Sequence, residues 1–393
     1  MHDSSLLELR KFVSPEFVFG EGALSLAGRY AKNFGATNVL VVSDEGVIRA
    51  GWARKVIQSL KDEGLSYSVY SNVLPDPKSE EVMNGAEVYK QEGCDVIVAV
   101  GGGSPMDCAK VIGIVSTNRR NILEFVGVDQ IPLPGPPLIC VPTTCSSADV
   151  SQFAIITDTK EKLKKVIVSK TLVPDTSLID PTTTLTMPED LTAGSDIDAF
   201  VQAIEAFVSN ASSPITDQLA MNALKLVIRH FVSVRNEPKN IEHRSKMMLG
   251  SLEAGLAFTN ASLGLTHAMA HSLGGYTGVS HGRCISQIFP YVVQFNYDAV
   301  PERYDQIGEL MGQNFRGLSH ELKKTAIFNT IKKFLKEVGA CQTLGSFGVK
   351  KDDLPRLARN AMNDVCIVTN PRRATLEDVM AIYEEVLLPD RKK

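Results

Sequence analysis

Val96-Ile97-Val98-Ala99-Val100 runs directly into Gly101-Gly102-Gly103-Ser104-Pro105-Met106-Asp107, and then into Cys108-Ala109-Lys110-Val111-Ile112-Gly113. Five consecutive apolar residues predict a strand buried on both faces, the kind found in parallel sheets. The segment after the glycines reads as a helix, and Pro105 suits its first turn. Strand, glycine loop and helix together make the context a phosphate group needs. Glycines let the backbone approach a pyrophosphate with no Cβ in the way. The helix N-terminus adds free N–H groups and a partial positive charge. A βα turn without a ligand does not need three glycines in a row, so the stretch points to a dinucleotide site. It departs from the G-x-G-x-x-G pattern, in which an acidic residue follows about 20 residues later. The acidic candidate here is Asp44, at the end of an earlier strand, residues 38–43 (NVLVVS). A carboxylate there can accept from a ribose diol and repels a 2′-phosphate, which favours NAD over NADP. Read locally, the same aspartate caps the turn that follows it.

Around this unit, strand-like and helix-like segments alternate. NVLVVS is followed by WARKVIQSLKDEG, a helical pattern stopped by Gly64. Residues 67–70 form the next strand, SEEVMNGAEVYKQEG the next helix, and PLICV (137–141) a further strand. Such alternation implies a parallel sheet with helices on both faces. From about Pro188 the pattern changes. Helical periodicity covers residues 191–209, 214–231, 242–259, 264–274, 322–338 and 354–363, and strand signals become sparse. The stretch PTTTLTMPED marks the expected boundary, giving an α/β nucleotide domain over 1–185 and an all-helical domain over 186–393.

The bulk properties exclude several classes. A chain of 393 residues, 44% of them hydrophobic and 22% charged, has enough apolar material for two globular domains. A net charge of −4 without a basic patch or tail argues against a nucleic-acid partner. No apolar run reaches the roughly 18 residues of a membrane span. The beginning, MHDSSLLELRKF, has no charged region followed by a long apolar stretch, so no secretory signal is expected. The cysteines are Cys94, Cys108, Cys140, Cys145, Cys284, Cys341 and Cys366, an odd number with no C-x-x-C pair. That speaks against a disulfide framework or a thiolate zinc site, and for a reducing, cytoplasmic setting.

Three of the seven histidines fall in GLTHAMAHSLGGYTGVSHG. His267 and His271 are four apart and share a helix face. Gly274-Gly275 is expected to end that helix, with His281 beyond a turn. The spacing lacks the glutamate of a zincin motif, and taken alone such histidines are more often structural. A second cluster is Asp198, Gln202 and Glu205, at i, i+4 and i+7 on one helical stripe. Such a stripe is usually solvated, but apolar flanks suggest that part of this one is buried. Asp198 with two neutral imidazoles is a plausible divalent-metal set.

The segments AVGGGSPMDCAK, VPTT, LVPDTSLIDP, DAFVQAIEAFVS, AGLAFTNASLGLTHAMAHSLGG, SHG and MNDVCIVTNPR resemble the iron-containing (group III) alcohol dehydrogenases along nearly the whole chain. The resemblance implies a dehydroquinate-synthase-like fold with a cleft between two domains, and reversible oxidation of a small alcohol to an aldehyde. NAD would lie along Gly101, Gly102, Gly103 and Ser104, with Thr143, Thr144 and Lys164 as further contacts and Asp44 at the adenosine ribose. A divalent metal, Fe2+ or Zn2+, would be held at Asp198, Gln202, His267 and His281. His271 would lie near the nicotinamide as a catalytic proton relay, and Cys366 would line the same cleft. A homodimer or larger homo-oligomer is implied. The chain departs from the family pattern twice. Gln202 stands where the second ligand is normally histidine, and CSSADVS stands where a glycine-rich loop follows VPTT. The departures leave two further readings: a metal-independent reductase, or a non-catalytic sensor of NADH or alcohol.

Overall fold

The computed structural model describes residues 11–339 and 347–387; Cys341 lies outside them. Nine strands are β1 (Glu16–Phe19), β2 (Asn38–Val42), β3 (Ser66–Tyr70), β4 (Val96–Gly101), β5 (Gly127–Val128), β6 (Leu138–Pro142), β7 (Phe153–Asp158), β8 (Leu163–Val168) and β9 (Thr176–Ile179). The helices of the first half are α1 (Ala27–Asn33), α2 (Glu45–Ala50), α3 (Trp52–Asp62), α4 (Ser79–Gln91) and α5 (Gly103–Asn118). Six strands form one sheet in the order β1-β9-β6-β4-β2-β3, and every pairing in it is parallel.

Side-chain alternation divides the two faces. Val39, Val41, Val96, Val98 and Val100 pack with Trp52, Val56 and Ala27 of α1 and α3. Leu40, Val42, Ile97 and Ala99 pack on the other side with Val82, Ala109 and Ile112 of α4 and α5. Both faces of the central strands are therefore dry, which is why VIVAV carries no polar residue. Fully burying each such side chain contributes about 1.5–3 kcal/mol.

The second half is helical: α6 (Glu189–Val208), α7 (Pro214–Asn236), α8 (Ile241–Ala261), α9 (Leu265–Thr277), α10 (His281–Asn296), α11 (Pro301–Leu310), α12 (His320–Glu337), α13 (Leu354–Met362) and α14 (Leu376–Leu387). No strand follows Ile179 among the described residues. Sequence periodicity misses α10, α11 and α14. Pro290 sits inside α10, and an internal proline reads as a break. A small sheet, β5-β8-β7, also goes unforeseen; its β7–β8 pair is antiparallel.

One expectation is corrected. Helix α9 does not stop at Gly274-Gly275 but runs to Thr277 and ends at Gly278, whose φ is 71°. The earlier glycines serve close packing. A Cβ at Gly275 would come within 2.7 Å of the Lys164 backbone nitrogen, so β8 lies directly against α9 there.

A similar approach ties α8 to the loop after β6. A Cβ at Gly255 would sit 2.3 Å from the carbonyl oxygen of Ser147. Gly255→Ala is therefore expected to lower stability by about 1–3 kcal/mol through overpacking, read as the midpoint of urea unfolding. Gly103→Ala, whose added methyl meets nothing within 4 Å, should leave that midpoint unchanged.

Candidate metal and nucleotide site

The glycine loop and Asp44 come together because β2 and β4 are neighbours, with Val42 beside Ala99. The chain runs outward from β2 to β3 and, on the other side, from β4 to β6. The gap between β2 and β4 is thus the point where the strand order reverses, the usual place for a nucleotide in an open parallel sheet. Asp44 caps α2, its Oδ1 accepting from the Val47 N–H at 2.9 Å. Just past β6, the Thr143 N–H donates to the Gly101 carbonyl at 2.7 Å. A Cβ at Gly102 would lie 2.9 Å from Thr144 Cγ2. The loop thus packs edge to edge with the VPTT turn, and any side chain at 102 would force them apart. Ser104 Oγ accepts from the Asp76 N–H, and Asp76 Oδ1 pairs with Lys164 Nζ at 2.6 Å. That ammonium lies 3.3 Å from where a Cβ on Gly274 would be, so Lys164 reaches from β8 to α9.

The turn continues into Cys145-Ser146-Ser147-Ala148-Asp149. Ala148 and Asp149 adopt φ of 48° and 45° without being glycine, a conformation that costs of order 1–3 kcal/mol per residue. A buried ion pair offsets it: Lys110 Nζ lies 2.6 Å from Asp149 Oδ1 and also donates to the carbonyls of Ser151 and Phe153.

Ser146, held at the end of that turn, donates to Asp198 Oδ2 at 2.5 Å. Asp198, Gln202 and Glu205 of α6 are all buried, at 4%, 5% and 4% exposure, so the polar stripe is not a solvated face. Glu205 holds the start of α9: it accepts from the N–H groups of Gly264 and Thr266, where the helix dipole favours negative charge. It also accepts from His267 Nδ1 at 2.6 Å. That bond fixes the tautomer and turns His267 Nε2 toward Asp198 Oδ1, 3.2 Å away. His281, the first residue of α10, brings its Nε2 to 3.7 Å from the same oxygen. It gets there because α10 and α6 cross backbone to backbone at this end; a Cβ on Gly282 would be 2.5 Å from Gly194 Cα.

Three electron-rich atoms therefore converge: Asp198 Oδ1, His267 Nε2 and His281 Nε2. They repel one another unless a cation lies between them. Without a metal, a proton serves. Burial resists charging His267, yet the Glu205 carboxylate, with Asp198 on the other nitrogen, outweighs it and pushes the imidazole up to about 9. Burial alone would likewise raise Asp198 and Glu205, but His267 holds both below the ordinary carboxylate range. Bonds of 2.0–2.2 Å to a tetrahedral metal imply donor separations of about 3.3–3.6 Å. The observed spacings bracket that range, so the donor set fits a divalent ion.

His271 lies one turn along α9 and stacks on His281, ring centroids 5.3 Å apart. Its Nδ1 donates to Asp364 Oδ2 at 2.9 Å, and its buried Nε2 has no partner. Asp364 is steadied by the Cys366 N–H, which places Cys366 beside this pair. Asp364, Glu205, Ser146 and Asp76 were given no role from sequence. Glu205 had a signal, since it shares the stripe of Asp198; Asp364, 93 residues from His271, had none.

Two family models match the chain: iron-containing alcohol dehydrogenase over residues 14–181, and the C-terminal part of the same family over 192–387. The NAD-dependent methanol dehydrogenase of Bacillus methanolicus is 34% identical over 96% of this chain and 99% of its own length. The 1,3-propanediol dehydrogenase of Citrobacter freundii is 37% identical over 93% and 96%. Among solved structures, an alcohol dehydrogenase from Oenococcus oeni superposes with a TM-score of 0.92 at 36% identity, covering 96% of this chain and all of that one. With both halves matched and relatives aligned end to end, the chain belongs to the iron-containing alcohol dehydrogenase family of oxidoreductases.

Proposed function

We propose that the protein is an NAD-dependent alcohol dehydrogenase that interconverts a small primary alcohol and its aldehyde at a divalent-metal site. One observation carries the reading. The segment from Thr143 to Ser146 joins the nucleotide loop to a carboxylate whose oxygen faces two imidazole nitrogens, with a third, unpartnered imidazole nitrogen alongside.

The glycine loop and the first turn of α5 receive the pyrophosphate, and Asp44 faces the adenosine ribose. Asp198, His267 and His281 would hold the metal, iron or zinc. When bound, the ion polarises the alcohol oxygen and the nicotinamide takes up the hydride. Glu205 keeps the His267 lone pair turned inward through its bond to Nδ1. Asp364 does the same for His271, so His271 Nε2 is the basic nitrogen that accepts the hydroxyl proton and returns it when the aldehyde is reduced. Apolar packing around α6 and α9 buries Asp198, Glu205, His267 and His271, which strengthens the interactions among them.

Two outcomes test this. The unmodified protein should use NAD over NADP by about 10–100-fold in kcat/KM, because a 2′-phosphate beside Asp44 costs about 1.4–2.7 kcal/mol of like-charge repulsion. Asp44→Gly should bring the two within a few-fold, with little loss of helix capping; equal use of both cofactors before mutation would overturn the assignment. His271→Ala should lower kcat by about 10²–10⁴-fold while calorimetry shows unchanged NAD affinity. A variant with full turnover would remove His271 from the reaction.

A further inference from the structure

Gln202 occupies the position where the sequence departs from its family. Its Nε2 donates to Asp198 Oδ2 at 2.9 Å. The amide cannot be reversed, because its oxygen would then face a carboxylate oxygen. Ser146 donates to the same Oδ2. The two oxygens of Asp198 thus have separate tasks. Oδ2 is occupied by two donors, while Oδ1 faces the nitrogens of His267 and His281. Gln202 Oε1 is left buried without a partner; it is committed to neither face by any hydrogen bond.

We infer that Gln202 is an anchor for Asp198 and not a donor to the ion, an inference that rests on the metal reading above. The protein then supplies one carboxylate and two imidazoles. That is a three-donor set of the kind that serves iron(II) and catalytic zinc with positions left open. One more position stays open than a histidine at 202 would leave. The anchoring amide turns the carboxylate, through Oδ2, so that Oδ1 points at the imidazoles. It acts on the ion only through Asp198, as outer-shell partners do.

The test is Co2+ titration of the full chain against a competing chelator, with visible absorption recorded at saturation. Gln202→Leu, close to glutamine in shape, should keep the Co2+ bands of the unmodified protein and lose about tenfold in affinity, the usual effect of removing an outer-shell partner. Gln202→Ala should behave in the same way, which covers the case of a leucine variant that fails to fold. His267→Ala should lose Co2+ binding and marks what the loss of a true donor looks like. Gln202→His should shift the bands as a nitrogen enters the open position. If Gln202→Leu or Gln202→Ala folds but changes the bands, Gln202 is a ligand and the inference is overturned. If Gln202→His leaves the bands unaltered, no position has been opened and the inference again fails. Absence of Co2+ uptake by the unmodified protein would instead overturn the metal reading, and this inference with it.

Discussion

A carboxylate buried to 4% exposure must be compensated from every side, because an unpaired ion in the interior costs several kcal/mol even after relaxation. Asp198 is compensated by groups from four places: Ser146 after β6, Gln202 on its own helix, His267 on α9 and His281 on α10. Each partner has its own support. Lys110 and Asp149 hold the loop that carries Ser146. Glu205 holds His267. The bare crossing of Gly194 and Gly282 lets His281 approach. The loop after β6 and the helices α6, α9 and α10 thus meet at this one charge.

What could be read from the sequence was what is local. The strand before the glycine loop declares itself through unbroken apolarity, and its helix follows at once. His267 and His271 declare a shared face by their spacing. The polar stripe Asp198–Gln202–Glu205 was visible as a stripe, but not as two ranks of function, one facing the site and one behind it. What was hidden depends on distant pairing or on residues with a double meaning. Gly274 and Gly275 looked like a helix stop and are a contact surface for β8. Helix α10 carries Pro290 in its interior, which interrupts the pattern a helix would otherwise show. Strand β8 carries Leu163, Lys164 and Lys165 in a charged context, so its alternation was masked although it brings Lys164 to the site.

The loop after VPTT holds two residues other than glycine, Ala148 and Asp149, at positive φ. A glycine there would relax the positive φ of Ala148 and Asp149. Here Lys110 of α5 holds the loop, its buried ammonium reaching Asp149, both oxygens of Ser151 and the Phe153 carbonyl. Loop geometry and the interior of the nucleotide-binding half are therefore coupled, so a change at Lys110 would be felt at Ser146 without either residue touching a ligand.

The sheet begins with the strand that must wait longest. Among the described residues β1 is an edge strand paired only with β9, with Glu16 opposite Thr176. Gly22 is then tied to the Asp180 side chain just past that neighbour. On a ribosome extending the chain at roughly 5–20 residues per second, the first strand emerges about 8–30 s before its partner has been made. During that interval the inner strands can pair among themselves, while the opening segment has nothing in the sheet to hold. Closure of the nucleotide half is thus a late event in biosynthesis. The exposed Phe17 on that strand is apolar surface that the nascent chain carries through the delay.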